Sequence, residues 1–207
     1  MDQAQVASQP RGRNAAATKA RLLQAATEEF AAHGIAGARI DRIESAAQAN
    51  RALIYSYFGN KDRLFDAVMD TCVARVLSEV PFTPDDLPGY AGCLFDFLVA
   101  NPHQLRLATW HRLERAGTGH EPQGLSDSVV LKTAAIAQAQ ADGQLTDAMT
   151  PEDVYAFTLA LASAWLPASP HAPAALSPEQ LATHRRAVVD AVRRLTAATG
   201  QPEGHTS

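Results

Sequence analysis

Gly34-Ile35-Ala36-Gly37-Ala38-Arg39-Ile40-Asp41-Arg42-Ile43-Glu44-Ser45-Ala46-Ala47-Gln48-Ala49-Asn50-Arg51-Ala52-Leu53-Ile54-Tyr55-Ser56-Tyr57-Phe58-Gly59-Asn60-Lys61-Asp62-Arg63-Leu64-Phe65 reads as helix, tight turn, helix. Ile40, Ile43 and Ala47 recur at helical spacing while Asp41, Arg42, Glu44 and Ser45 fall on the other side, which describes a short amphipathic helix. The run breaks at Gln48-Ala49. Asn50 then stands where its side-chain oxygen can accept from an amide two or three residues on, so a second short helix is predicted from Arg51 to Phe58. In it Leu53, Ile54 and Phe58 supply apolar contacts, whereas Arg51, Ala52, Tyr55, Ser56 and Tyr57 combine donors, small surfaces and aromatic hydroxyls. Such a face suits the DNA major groove, where Arg can fork a guanine and hydroxyls can reach bases or phosphates. Gly59-Asn60 turns the chain, and Lys61 opens the next helix, where it and the first amides can hold a phosphate. Core aromatics and solvated charges are the competing reading of the same residues; the number of positions in register favours the DNA-facing one.

Ile43 four residues before Ala47, Tyr55-Ser56-Tyr57-Phe58, and Lys61-Asp62-Arg63-Leu64-Phe65 together resemble the TetR family of one-component transcription regulators. With the preceding helix from Thr18 to His33 the likeness covers about 60 residues, and the remainder is similar only in length and helical layout. Three places depart from the commoner pattern. Ala38 and Arg39 stand where threonines usually cap the second helix, Glu44 where alanine is usual, and Gln48 where the turn glycine sits; Arg39 is offered as a phosphate contact instead. The resemblance implies a homodimer, a DNA operator, and a small ligand held in the helical body.

Length and charge fit that picture. The 207 residues, 46% of them apolar, allow one large domain or two modest ones with a buried core. No apolar run approaches the ~20 residues of a membrane span, and Met1-Asp2-Gln3 lacks a signal-peptide layout, so a cytoplasmic protein without membrane partners is expected. The net charge of −4 is unevenly spread: residues 1 to 63 hold nine Lys or Arg against six Asp or Glu, a net of +3, and residues 64 to 207 hold nine against sixteen, a net of −7. A positive head on an acidic body suits DNA binding. Cys72 and Cys93 read as buried, reduced thiols.

Residues 1 to 14 carry no apolar period and read as a flexible arm, whose Arg11 and Arg13 either follow the DNA backbone or are merely solvated. From Thr18 to His33, Leu22, Leu23, Ala26 and Phe30 make one stripe, ended at Gly34 in the manner of a left-handed cap. Phe30, Ile43, Ile54 and Phe58 are the candidate core behind the recognition helix. A fourth helix runs from Asn60 or Lys61 to about Val80, with Leu64, Phe65, Val68, Cys72 and Val76 inward. Thr83-Pro84, Asn101-Pro102, Thr150-Pro151 and Ser177-Pro178 each set a capping side chain before a proline, which predicts helices near 85 to 100, 102 to 116, 151 to 166 and 178 to 199. Another, near 126 to 142, is closed by Gly143. No two-residue alternation marks a strand, so the fold is read as all-α with about nine helices. The parts are an arm (1–14), a three-helix DNA-binding head (15–60), a ligand-binding and dimerisation body (61–200) and a disordered tail (201–207). Loops at 117–124 and 167–173 are expected exposed, flanking an entrance to the body.

For the body, Leu181, Val188, Val192 and Leu195 on the last helix and Val154, Phe157, Leu161 and Ala164 on the one before it are offered as a dimer surface, a four-helix bundle across a two-fold axis. Tyr90, Phe95, Phe97, Leu98, Leu107, Trp110, His111, Tyr155 and Trp165 could line a mostly apolar ligand pocket, or fill an ordinary core. His103, His111 and His120 have no His or Cys at a ligand spacing, so no metal or cofactor is expected. Ser163 lacks a nucleophile elbow, and an enzyme is not expected. The combined expectation is a repressor that leaves a palindromic operator when a small apolar or aromatic molecule binds, with Phe65 and Val68 on the path of the change. A DNA-bound structural or co-regulatory dimer without a ligand is the alternative.

Overall fold

In a computed structural model of the chain, the residues described are 11–115, 117, 119, 121–166, 169 and 175–198, with side chains from 15 onward. Among these residues the regular structure is nine α-helices, a 3-10 turn at Pro84–Asp86 and an isolated bridge between Leu145 and Ala197. The all-α expectation holds. The chain divides into two compact units, Met1–Met69 with Trp110–His120, and Asp70–Thr109 with Glu121–Ser207.

In the first unit, α1 (Arg11–Gly37) begins earlier than the sequence period suggests. Ala15, Ala16 and Ala17 are strong helix formers and carry the helix back past Thr18, so residues 11–14, expected in the arm, are helical backbone. Residues 1–10 of the expected arm, the side chains of Arg11 and Arg13, and the expected tail at 201–207 lie outside what is described. The helix is interrupted at Gly34, where φ is 70° and ψ is −174°. That is an extended rather than a left-handed cap, in a region open essentially to glycine alone. Next come α2 (Ile40–Ala47) and α3 (Arg51–Phe58), with α2 packed on both α1 and α3. Between them Gln48 takes φ 50° and ψ 46°, the left-handed geometry that the family gives to glycine. Its amide returns to the Glu44 and Ser45 carbonyls, so the turn survives without glycine.

The fourth helix, α4 (Lys61–Glu79), follows Asn60, whose Oδ1 accepts from the Arg63 amide at 2.8 Å. Beyond it the proline punctuation works in two places and is displaced in two. Thr150 caps α8 (Pro151–Ser163) by accepting from the Asp153 amide, and Ser177 with Gln180 forms a full capping box on α9 (Pro178–Thr196). Thr83-Pro84 instead opens the 3-10 turn, and α5 (Leu87–Ala100) is capped by Asp86, which accepts from the Gly89 amide. At α6 (Pro102–Arg115) the Asn101 side chain serves the helix behind it, donating to the Phe97 carbonyl at 2.8 Å. Gly143 follows α7 (Leu125–Ala141) with φ 72°, as expected.

The second unit is built on α5, packed against α8 and α9, with α7 on α8 and α8 on α9. Its core runs through Leu87, Tyr90, Leu94, Phe95, Leu98, Ile136, Val154, Ala162, Val188 and Val192. Cys72 is buried, and burial pushes its thiol up to about 11, while Arg75 opposes this weakly. Cys93 is exposed, against expectation, because α5 buries its 90-91-94-95-98 face and residue 93 falls off it. Among the described residues no helix is long and apolar enough to cross a membrane.

Candidate nucleic-acid interface

A short helix holds its angle only if its back is pinned. Phe30, Ile43 and Ile54 are wholly buried and Phe58 nearly so, which bears out the proposed core behind α3. Phe30 meets Phe65 edge-on with centroids 5.1 Å apart, and Lys19 lies 5.8 Å from the Phe58 ring. The last turns of α6 extend this support. His111 stacks on Phe65 at 6.3 Å, the Trp110 indole N–H donates to the Ala31 carbonyl at 3.3 Å, and Glu114 accepts from the Ile35 and Ala36 amides at 3.2 and 2.9 Å. Arg115 lies 3.1 Å from Asp62 and 3.6 Å from Asp66, with its guanidinium over Phe65. The α1 break at Gly34 thus finds its missing acceptor 80 residues further along the chain.

In front, Arg51, Ala52, Tyr55 and Ser56 share the exposed side of α3, Tyr55 with 45% of its surface free. Asn50 accepts from the Leu53 amide at 2.9 Å, the cap that the sequence predicts. Arg51 is already engaged: its Nε donates to Glu44 Oε1 at 2.7 Å across the turn, which raises the guanidinium pKa and commits one of its five donors. Glu44, one of the positions departing from the family pattern, is what holds it.

Tyr57 belongs to a different side. It is half-buried, and its hydroxyl donates to the Ala15 carbonyl at 3.4 Å, so it ties α3 to α1. Lys61 is half-buried too, its Nζ 3.4 and 3.3 Å from the Ala36 and Ala38 carbonyls, where it closes the α1–α2 loop. An ammonium has three donors, so one remains for a phosphate. Arg39 makes no side-chain cap on α2; its guanidinium pairs with Asp41, which is held below its usual pKa by that hydrogen bond. Its amide donates to Glu29 at 2.9 Å, and Glu29, only 9% exposed, also takes the Arg42 guanidinium at 3.2 Å. The buried Glu29 therefore does for the start of α2 what the family's threonines do. No local signal in the sequence marks Glu29, Glu114 or Arg115, because each acts through partners distant along the chain or on another helix.

The candidate pocket residues divide between the units. Trp110 and His111 lie in the first, against α1 and α4, whereas Tyr90, Phe95, Leu98 and Tyr155 share the core of the second, with Trp165 packed against it. Phe95 and Leu98 are core, Leu107 is wholly buried, and Trp165 stacks on His184 at 3.9 Å. Tyr90 and Tyr155 do come together, both edge-on to Phe82. Beside Phe82 and Lys132 opens a cavity of about 340 Å³ lined also by Leu77, Gly124, Asp127, Ser128 and Leu131. Lys132 was missed, although Ser128, Lys132, Ile136 and Ala139 fall at helical spacing on the buried face of α7 and an apolar-face lysine is a visible signal.

Comparison with known proteins agrees with this geometry. Residues 22–68 match the tetR family of bacterial regulatory proteins, and residues 86–194 match the tetracyclin repressor-like C-terminal domain. The HTH-type transcriptional repressor SCO4008 of Streptomyces coelicolor is 42% identical over 153 residues, 73% of this chain and 79% of that protein. The repressor NicS of Pseudomonas putida is 25% identical over 148 residues, 66% of this chain and 70% of that one. The crystal structure of SCO4942 from Streptomyces coelicolor matches with a TM-score of 0.77 at 37% identity, over 87% of this chain and 99% of that chain. A pinned helix-turn-helix ahead of a helical body, matched at both ends of the chain, establishes that this protein belongs to the TetR family of DNA-binding transcriptional regulators, which are not enzymes.

Proposed function

We propose that the chain is a homodimeric repressor that occupies a palindromic operator and leaves it when a small molecule enters the body. In this reading the head (15–60) reads DNA and the body (61–200) senses and dimerises. The observation that carries it is the exposed set Arg51, Ala52, Tyr55 and Ser56 on a helix fixed from behind by Ile43, Ile54 and Phe58. One such helix spans too few bases for specificity, and two heads about 34 to 36 Å apart reach successive major grooves. Family members typically act as dimers on operators with small-molecule effectors, which supports the same arrangement. Selection of bound sequences from a random DNA pool tests the head, the symmetry and the spacing together. An inverted repeat is expected; no enrichment at any salt concentration would sink the reading.

Arg51 and Lys61 are assigned different tasks. Arg51→Ala is expected to cost about 1 to 3 kcal/mol on the operator and to relax preference at one base pair. Lys61→Ala is expected to weaken all sequences alike and to lower the salt slope by about one, with a small loss of stability from the Ala36 and Ala38 carbonyls that Nζ now serves. Titrating both variants against operator and random DNA separates the two; equal effects would refute the assignment.

Dimerisation is assigned to α8 and α9, with a change of residues. Val154, Val188 and Val192 point into the protomer's own core, so the expected stripes mixed two faces. Phe157, 46% exposed, and exposed Ala160, with half-buried Ala164, remain on the outside of α8, and half-buried Leu195 on α9, while Leu161 and Leu181 pack against the core. The cavity at Phe82 and Lys132 favours a ligand-responsive protein over a purely structural DNA-bound dimer, since it has the size and the mostly apolar lining that ligands use. Coupling between ligand and operator of typically about 1 to 3 kcal/mol suffices for release.

A further inference from the structure

Lys132 is the anomaly of the second unit. It is only 8% exposed, on the buried side of α7, and among the described residues no carboxylate comes within ion-pair reach of it. Its ammonium lies 5.6, 5.4 and 5.6 Å from the ring centroids of Phe82, Tyr90 and Tyr155, and its one hydrogen bond goes to the Tyr90 hydroxyl at 3.3 Å. Tyr155 lies on the same side, both phenol rings edge-on to Phe82. Three ring faces soften the burial of a cation but leave two of its three N–H donors without an acceptor. Burial accordingly pulls the ammonium pKa down and pushes both phenols up. A buried cation without a counter-ion costs stability, and replacement by an apolar side chain of like size ordinarily removes that cost.

The same side chain lines the cavity, where an anion would find more than the lysine. Gly124, Asp127 and Ser128 belong to the first turn of α7, a 17-residue helix whose positive end therefore faces the same space. Leu77, Phe82 and Leu131 supply apolar walls. Asp127 is the one acidic group of the lining, and it is exposed to solvent, where water screens its charge.

We infer that this cavity takes an amphipathic organic monoanion, a carboxylate or phenolate whose charge lies on Lys132 and whose apolar portion lies against Leu77, Phe82 and Leu131. The inference rests on the ligand-responsive reading above and names the chemical class of its effector. An anionic group completes the unused donors of Lys132, whereas a cationic ligand of the same shape meets like charge in a poorly solvated place.

The test uses one carbon skeleton with three head groups, 4-butylbenzoate, 4-butylbenzamide and 4-butylbenzylamine, on the full chain with and without selected operator DNA. The benzoate is expected to raise Tm and to bind at least tenfold more tightly than the amide or amine. Lys132→Met is expected to raise the Tm of the free protein by a few degrees and to erase the benzoate preference, and Lys132→Arg to retain it. Equal binding of the three head groups to wild type, or a benzoate preference that survives in Lys132→Met, overturns the site; the wild-type series decides even if the variant does not fold. The arms also separate the two claims. Anion-selective binding with operator affinity unchanged upholds the site and removes the release step, while release by amide or amine with the benzoate inert upholds release and removes the site.

Discussion

Gly34→Ala is expected to lower folding stability by roughly 2 to 6 kcal/mol, against a total that is ordinarily about 5 to 15. Two costs add. The backbone at φ 70°, ψ −174° is a conformation that costs a side chain about 1 to 3 kcal/mol. A Cβ built there also lies within 3.0 Å of Trp110 ring atoms and still closer to Glu114 Oε1, and overpacking of this kind costs about 1 to 3 kcal/mol. Glu114 cannot swing aside without abandoning the Ile35 and Ala36 amides, nor Trp110 without losing the Ala31 carbonyl. The urea midpoint should fall, and amide protons of α1 and α2 should exchange faster than in wild type. A variant as stable as wild type would mean that the break in α1 is not where the chain bends.

Phe157→Asp is expected to turn the proposed dimer into monomers at micromolar concentration while leaving the helical content unchanged. The side chain is 46% exposed in the protomer, so its loss removes little from the fold. In a two-fold interface every change occurs twice. An anchor worth about 2 to 4 kcal/mol on each side therefore becomes about 4 to 8 kcal/mol, or roughly a thousandfold to more than a hundred-thousandfold in dissociation constant. Operator affinity should collapse with it, because a single head is left to read half a site. Sedimentation of the variant at low micromolar concentration checks this; an intact dimer would move the interface away from α8.

How far the sequence could be read depended on the range of each signal. Local signals were legible: the Asn50 cap, the Ser177–Gln180 capping box and the turn around Gln48 all act within a few residues, and the burial of Phe30, Ile43, Ile54 and Phe58 follows from spacing alone. Proline punctuation was legible as a boundary, and as a cap at Thr150 and Ser177 but not at Thr83, since Asp86, three residues on, takes the same helix start. A hydrophobic stripe does not say which of a helix's two apolar faces turns inward. Val154 and Phe157 look alike in a hydrophobic stripe, yet one faces the core and the other solvent. Long-range polar contacts left no trace: nothing near Glu114 announces that it serves Ile35, and nothing near Trp110 and His111 says which unit they join.

The Arg51–Glu44 pair bears on how operators diverge under the proposed interface. With Nε committed to Glu44, the guanidinium can approach a base only through its two Nη groups, in one orientation. Replacing Glu44 would free a second, side-on approach and unlock the rotamer, altering which base is preferred by changing a residue that itself touches none. Part of the address this protein recognises is in that sense written on its supporting helix, and a lineage could drift to a new target by editing the brace before the finger.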